Sequence, residues 1–372
     1  MKKIDIENIT SWHTENHVSG LHNRYLTLDI IKPYLDALND AFEVEKIGES
    51  FEGRDINMVV FGTGDIQIFI WTQMHGNEST GTRAFFDLLE FFKHPGAESE
   101  LVAFILNAVT IYCIPILNPD GAVAYTRVNA QGIDLNRDVI DKKAKESKLL
   151  QKCLKKINPD FCFNLHDQRT IFSVAPHNNT ATLSFLAPSV DKERSLNKGR
   201  KQTMTVIAAM NDLLQQFIPG QIGRYTDEFY PTATGDNFQK MGHNTILIES
   251  GHAKGDYQRV ISRRATFIAL LEGLRIIAAG LGADRHSAYL EIPNNEKKYL
   301  DAIFKNVSIA GSKMDMGVLF IEELTEGVVC FRPSIDKMEN LGDYNADEII
   351  DDKNLEFENK KAAENWLKNR YI

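Results

Sequence analysis

The sequence is poor in cysteine, with four among 372 residues, and none of the four has CxxC spacing. The paired-thiol signatures of structural zinc and redox motifs are therefore missing. Cys113 and Cys162 fall inside apolar strand-like runs, where a free thiol behaves as a small core hydrophobe. The expectation is a cytoplasmic protein with reduced thiols. Long hydrophobic runs are missing too. The most apolar stretch, residues 267–281, is interrupted by Glu272 and Arg275 and is too short to cross a bilayer. Two lysines follow Met1, but no apolar segment follows them, so no secretory signal is expected. Nor is there an excess of basic residues. The formal net charge is −9 and the sequence pI about 5.6, whereas a nucleic-acid surface would be basic. Neither nucleic acid nor membrane is expected as a partner. A small substrate stays open, because a local pocket can oppose the global sign.

What is present is ordinary for a globular chain: 43% hydrophobic and 25% charged residues. The length allows two or three domains at roughly 150 residues each. From about Val44, short apolar runs rich in Ile, Val and Phe alternate with helical patterns. Strands are expected at residues 57–61, 67–72, 108–114, 161–165 and 245–248, and helices at 79–92, 192–217 and 257–279. Strands that are apolar throughout belong in a sheet covered on both faces, which implies a three-layer α/β/α domain. After about Gly282 the pattern changes. One short helix is expected over 286–304, a hairpin from 317–322 and 327–332 around Thr325-Glu326-Gly327, a solvated acidic stretch over 343–358, and a final helix with Trp366. The division expected is 1–284 and a small α+β module over 285–372.

Polar residues end several of the apolar runs. Trp71-Thr72-Gln73-Met74 leads into His75-Gly76-Asn77-Glu78, at a strand-to-helix turn, where open α/β sheets place ligand sites. A His and a Glu three apart can meet on one metal ion, or can be a surface turn. Asn118-Pro119-Asp120-Gly121 reads as a β-turn. Arg127, Asn136 and Arg137 lie in or beside a glycine-bearing loop, Arg127-Val128-Asn129-Ala130-Gln131-Gly132-Ile133-Asp134-Leu135-Asn136-Arg137-Asp138. They suit a carboxylate, since the guanidinium fork matches one bidentately; an internal Arg–Asp pair is the alternative. Asn164-Leu165-His166-Asp167 and Ile246-Leu247-Ile248-Glu249-Ser250-Gly251 end two more apolar runs. A glutamate at the tip of a buried strand is unusual unless paired or at work.

HGNE, NPDG, an arginine ahead of GIDLNRD, NLHD and ILIESG, in this order, resemble the zinc metallocarboxypeptidases typified by carboxypeptidase A, over about residues 44–280. The segment Ile47-Gly48-Glu49-Ser50-Phe51-Glu52-Gly53-Arg54 is similar to the family's leading segment. The resemblance implies a mixed, mostly parallel central sheet and one zinc per chain, held by His75, Glu78 and His166 with a fourth position open to water; carboxypeptidase A is itself the reference case for such a set. It implies that Asp134 orients the first histidine. It further implies that Arg127 polarises the scissile carbonyl, that Asn136 and Arg137 clamp the substrate carboxylate, and that Glu249 is the general base. Tyr230 best fits the family's mobile tyrosine, with Tyr225 the other candidate.

The implied activity is hydrolysis of a C-terminal peptide or isopeptide bond, on a peptide or small amino-acid-derived substrate with a free carboxylate. Two other readings stand beside it. One is a deacylase of N-acyl amino acids resembling succinylglutamate desuccinylase or aspartoacylase, and the other is a binding protein that kept the fold. Asn77 replaces the arginine of the digestive enzymes, and the Glu78-to-His166 separation is shorter than theirs. Asp236 would favour a basic C-terminal residue if it faced the pocket, and would otherwise cap a turn. His177, His243 and His252 have no partner at ligand spacing and are expected in loops or as residues supporting the ligands from behind.

Overall fold

The computed structural model of the protein describes residues 3–38, 41–280 and 284–371. Up to residue 280 the strands are β1 (Glu43–Glu49), β2 (Asp55–Gly62), β3 (Ile66–Trp71), β4 (Val109–Ile114), β5 (Phe161–Asp167), β6 (Ser173–Val174), β7 (Asn179–Thr180), β8 (Leu183–Leu186), β9 (Ile222–Arg224) and β10 (Asn244–Ser250). All but β6 and β7 form one sheet, in the order β1-β2-β4-β3-β5-β10-β8-β9. The central strands β4, β3, β5 and β10 run parallel; β2 pairs antiparallel with β4 and β1 antiparallel with β2, while β8 pairs antiparallel with β10. The sheet is therefore mixed with a parallel centre.

Helices α1 (Ile6–Asn16), α2 (Leu28–Asp36), α3 (Thr80–Lys93), α4 (Ser99–Ala108), α5 (Pro119–Ala124), α6 (Lys145–Ile157), α7 (Lys198–Leu214), α8 (Thr234–Lys240) and α9 (Val260–Ala278) alternate with the strands. Side chains alternate across each strand, so Ile68, Ile70, Phe163, Leu165, Ile246 and Ile248 face α1, α2, α3, α4, α7 and α9 in one core. Phe69, Trp71 and Cys162 face α6 and α8 in another. These are three layers, as the apolar runs imply. Among the described residues no helix is long and apolar enough to cross a membrane.

The expected strands and helices are present with shifted ends. The helix expected from residue 192 starts only after Asn197, whose side chain caps Arg200 N at 2.8 Å. The one expected from 257 starts after Arg259, whose φ is 57°. NPDG is not a β-turn but a helix start. Asn118 accepts from Gly121 N at 2.9 Å and Pro119 opens α5, the positions these residues favour. Strand β1 was not foreseen; it is a polar edge. Strands β8 and β9 are too short to leave a periodic signature.

Beyond residue 283 come α10 (His286–Leu290), β11 (Asn295–Glu296), β12 (Tyr299–Ile309), β13 (Ser312–Thr325), β14 (Val328–Glu339), β15 (Asn345–Asp351), β16 (Glu356–Phe357) and α11 (Lys360–Arg370). The single helix expected over 286–304 is overturned: it stops at Leu290 and Tyr299 begins a strand. Residues 299–304 are all buried, and such a run has no periodicity to separate strand from helix. The expected hairpin turns at Glu326-Gly327, both with positive φ, and its arms are longer than expected. The acidic stretch, expected as a solvated face, contains β15, which pairs with β12. Strands β12 to β16 form a second sheet, order β14-β13-β12-β15 with β16 on β12. Helix α11 packs Ala363 and Leu367 against it. The boundary expected at 284/285 adjoins residues 281–283, which lie outside the described residues, as do Leu281 of the apolar stretch and Gly282, where the pattern was read to change.

Helix α1 is tied to α3 and α9 through buried Asp87, which accepts from His13 Nε2 (2.9 Å), Val18 N (2.9 Å), and Arg263 Nε (2.7 Å) and Nη2 (2.6 Å). Arg264 Nε donates to His13 Nδ1 at 3.2 Å, so the ring is neutral with its proton on Nε2. Burial, outweighing Asp87, lowers the His13 pKa from 6.5. The unfolded chain therefore takes up a proton near pH 6.5 that the folded chain refuses. This contribution is complete above that pH and is lost as pH falls. The urea midpoint is expected to drop between pH 7.5 and 5.5, and His13→Gln to flatten the drop. An unchanged slope in the variant would contradict the assignment.

Candidate metal centre

The chain leaves β3 at Trp71 and stays beside the β4 end, with Thr72 N donating to Ile114 O at 3.1 Å. Gln73, at φ 49°, then turns it. Asn118 N donates to Gln73 O (3.1 Å) and Asn118 Nδ2 to Met74 O (3.2 Å). Gly76 and Gly121 meet backbone to backbone: a Cβ on Gly76 would run into the Gly121 carbonyl carbon. The HGNE and NPDG motifs are thus two halves of one knot. Asp120 extends it, accepting from Ser50 Oγ (2.7 Å), Glu52 N (2.9 Å) and Arg54 Nη1 (2.6 Å). This is the role of the segment upstream of β2.

Within the knot, Glu78 N closes a turn on His75 O at 3.1 Å, bringing the two side chains together. His75 Nδ1 lies 2.8 Å from Glu78 Oε1, and His166 Nδ1 lies 2.8 Å from Glu78 Oε2. The two Nδ1 atoms are 3.1 Å apart. All three residues are buried, and their ligand atoms lie within 4.8 Å of one another. His75 Nε2 donates to Asp134 Oδ1 at 3.1 Å, so the neutral ring presents its Nδ1 lone pair toward Glu78 and His166. His166 Nε2 is buried without a hydrogen-bond partner. Two imidazole nitrogens and a carboxylate converging on one point are the donor set of a catalytic zinc site, so the residues fit that ion. The histidines draw the Glu78 carboxyl well below its usual range despite its burial.

His166 ends β5, and in the parallel register of β5 and β10 it stands directly beside Glu249. Parallel partners point to the same face, so Glu249 faces the metal group from the next strand. Burial first, then the Glu78 and Asp167 carboxylates, push the Glu249 carboxyl well above its usual range. A cation held by His75, Glu78 and His166 would lower it again. Asp167 accepts from Thr80 Oγ1 at 2.7 Å, and its N–H donates to Glu78 Oε2 at 3.1 Å. It stands in the NLHD motif, yet nothing in the sequence pointed to its place between α3 and the ligands.

Arg127 Nε donates to Asp134 Oδ2 at 3.0 Å, and its Nη1 lies 3.2 Å from His75 Nδ1 and 3.5 Å from Glu78 Oε1. It leans directly over the donor atoms. Asp134 also caps the turn Leu135–Arg137 through Asn136 N at 2.9 Å. Asn136 Oδ1 accepts from Thr234 N at 3.1 Å, and the exposed Arg137 lies over the Tyr230 ring at 5.9 Å. These three residues meet at the start of α8. Tyr230 is exposed. Tyr225 is half-buried against the Phe172 ring at 5.3 Å, and burial, then the Glu249 and Glu78 charges, raise its pKa, so it lies within electrostatic reach of these two carboxylates. Asp236 is buried, pushed up to about 6 by burial, and accepts from Tyr230 N at 3.0 Å, the turn-holding role. His243 Nδ1 contacts Pro159 O at 2.8 Å and His252 Nε2 contacts Asp347 at 2.9 Å. Neither they nor His177 belong to the metal group.

The zinc carboxypeptidase family model matches residues 31–153, a span that holds His75, Glu78, Arg127, Asp134, Asn136 and Arg137 but stops short of His166 and Glu249. Among solved structures, the metallo-carboxypeptidase of Burkholderia cenocepacia aligns at 17% identity and TM-score 0.55, covering 70% of each chain. The metallo-carboxypeptidase of Pseudomonas aeruginosa, in complex with (2-guanidinoethylmercapto)succinic acid, aligns at 15% identity and TM-score 0.52, covering 69% of this chain and 70% of that one. Bovine thrombin-activatable fibrinolysis inhibitor, in complex with tick carboxypeptidase inhibitor, aligns at 14% and 0.54, covering 70% and 99%. At these identities the structures speak for the fold.

Asp134→Ala removes the acceptor that keeps the His75 proton on Nε2. It is expected to weaken zinc binding about 10- to 100-fold, read by competition with a chromophoric chelator. Parental affinity in the variant would show that Asp134 does not hold the ring.

Proposed function

We propose that this chain, a zinc metallopeptidase of the carboxypeptidase A-like family, hydrolyses the C-terminal peptide or isopeptide bond of substrates that end in a free carboxylate. The observation that carries the reading is the register of β5 and β10, which sets Glu249 beside His166. A metal-binding group alone would suit storage or structure. A metal-binding group with an unpaired, elevated carboxyl facing it suits proton transfer.

Zinc, when held by His75, Glu78 and His166, polarises a carbonyl and makes water acidic enough to attack near neutral pH. Glu249 takes the proton of the attacking water and returns it to the leaving amine. Arg127 stands beside the donor atoms, and its Nε–Asp134 pair keeps the guanidinium at the cleft, where it stabilises charge growing on the carbonyl oxygen. Asn136 and Arg137, with Tyr230 over the guanidinium, receive the substrate carboxylate. In this reading residues 1–284 form the catalytic domain and 285–372 a module built onto it. Buried Cys113, Cys153 and Cys162 and exposed Cys330 are all free thiols, in keeping with a reducing, cytoplasmic setting. Complexes of the related proteins with a small carboxylic acid and with a protein inhibitor support peptides and their fragments as ligands.

The test is a panel of peptides with free and amidated C-termini beside N-acyl amino acids, analysed by mass spectrometry with zinc-loaded protein. Release of the last residue from free peptides only is expected. Cleavage confined to the N-acyl amino acids would replace this reading with a deacylase. In the same assay Glu249→Gln is expected to retain zinc and lose about 10²- to 10⁴-fold in kcat. Parental turnover in that variant would mean that the base lies elsewhere.

A further inference from the structure

The second sheet is not remote from the metal group. The tip of the β13–β14 hairpin comes down on two loops beside it. Glu322 of β13 accepts from Arg24 Nη1 at 2.7 Å and from the Tyr125 hydroxyl at 2.8 Å. Arg24 is 4% exposed and Tyr125 9%, while Glu322 itself is 27% exposed, so both contacts are made at the partly covered edge of the interface. Phe331, the register partner of Glu322 on β14, lies under the Arg24 guanidinium at 5.8 Å and against Tyr257 at 5.1 Å. An ionised carboxylate held by a buried arginine and a buried phenol is a stiff contact. Burial opposes the charge of Glu322, but Arg24 and Arg259 together with the two donors outweigh it and lower its pKa.

Tyr125 has a backbone that needs holding. It ends α5 with φ 53° and ψ 47°, a left-handed conformation that side chains other than glycine adopt when their surroundings impose it. The chain reverses there, and Arg127 follows two residues later. On the inner side, Thr126 N donates to Gly121 O at 2.9 Å. On the outer side, the phenol is held by Glu322. The direction in which Arg127 leaves the helix is therefore set between the NPDG knot and the second sheet.

We infer that Glu322 is a positioning residue for Arg127, and that the C-terminal sheet is thereby a working part of the cleft. This rests on the role given to Arg127 under the proposed function. Glu322 touches neither metal ligands nor substrate. Its effect passes through Tyr125 to the guanidinium that faces the scissile carbonyl, so its loss strikes the chemical step rather than ground-state binding.

The experiment uses the full zinc-loaded chain with Glu322→Gln, Glu322→Ala and Tyr125→Phe. Hydrogen–deuterium exchange is expected to quicken in the segment 121–128 of each variant and to stay as in the parent across 80–93, with one zinc retained. On the peptide substrate, kcat is expected to fall about 10- to 100-fold with KM unchanged. In an Arg127→Lys background the further change Glu322→Gln is expected to add little, because both act on one group. Unchanged exchange at 121–128 in Glu322→Gln overturns the inference whether or not the chain hydrolyses peptides. So does full additivity of the two substitutions, which would mark Glu322 as merely structural. A parent that cleaves no peptide defeats the functional reading alone, and the exchange data still decide the positioning.

Discussion

The structure depends on a cluster of lone pairs that has to be held together out of water. His75 Nδ1 and His166 Nδ1 stand 3.1 Å apart, and each lies 2.8 Å from an oxygen of Glu78. Asp134 claims the other nitrogen of His75, and the two imidazoles and the carboxylate that remain are a donor set suited to a divalent cation. Much of the surrounding architecture serves this convergence. The parallel centre of the sheet ends β3, β5 and β10 on one edge, and the knot of HGNE and NPDG brings the chain back onto itself there. Neither glycine has room for a side chain: a Cβ on Gly76 would meet the Gly121 backbone, and one on Gly121 the Asn118 side chain and the Val128 carbonyl.

Charge is balanced around the cluster in layers. Burial and the Glu78 carboxylate raise the cost of ionising Glu249, whereas the two histidines keep Glu78 itself ionised. Arg127 supplies a cation from the open side. Behind the ligands, Asp167 lies among Arg24, Arg83 and Arg259, and Glu322 of the second sheet closes that network. The two sheets therefore share one electrostatic system, although each has its own apolar core.

His75, His166 and Glu249 stood out in the sequence because each is a polar residue at or just past the end of an apolar run, where burial makes an idle charge costly, and the family likeness joined Glu78 to them. Asn136 and Arg137 suggested an anion site by residue type, whereas Asp134 was legible only by its likeness to a family pattern, and the structure gives Asp134 its partner in His75. NPDG was misread because the residues that make a β-turn also cap and open a helix, and the choice between them depends on what Gly121 packs against. The stretch 286–304 was misread because Tyr299 to Phe304 is buried on both faces of its strand, which erases the alternation that marks one. The contact joining Arg24, Tyr125 and Glu322 spans 298 positions of the chain from first to last, and no local pattern encodes such a meeting.

The most direct test of the account is a crystal structure of the zinc-loaded chain with anomalous scattering recorded across the zinc edge. One anomalous peak per chain is predicted, at about 2.0–2.2 Å from His75 Nδ1, His166 Nδ1 and a Glu78 oxygen, with a position left open toward Glu249. A peak bound elsewhere, or four protein ligands closing the site, would contradict it.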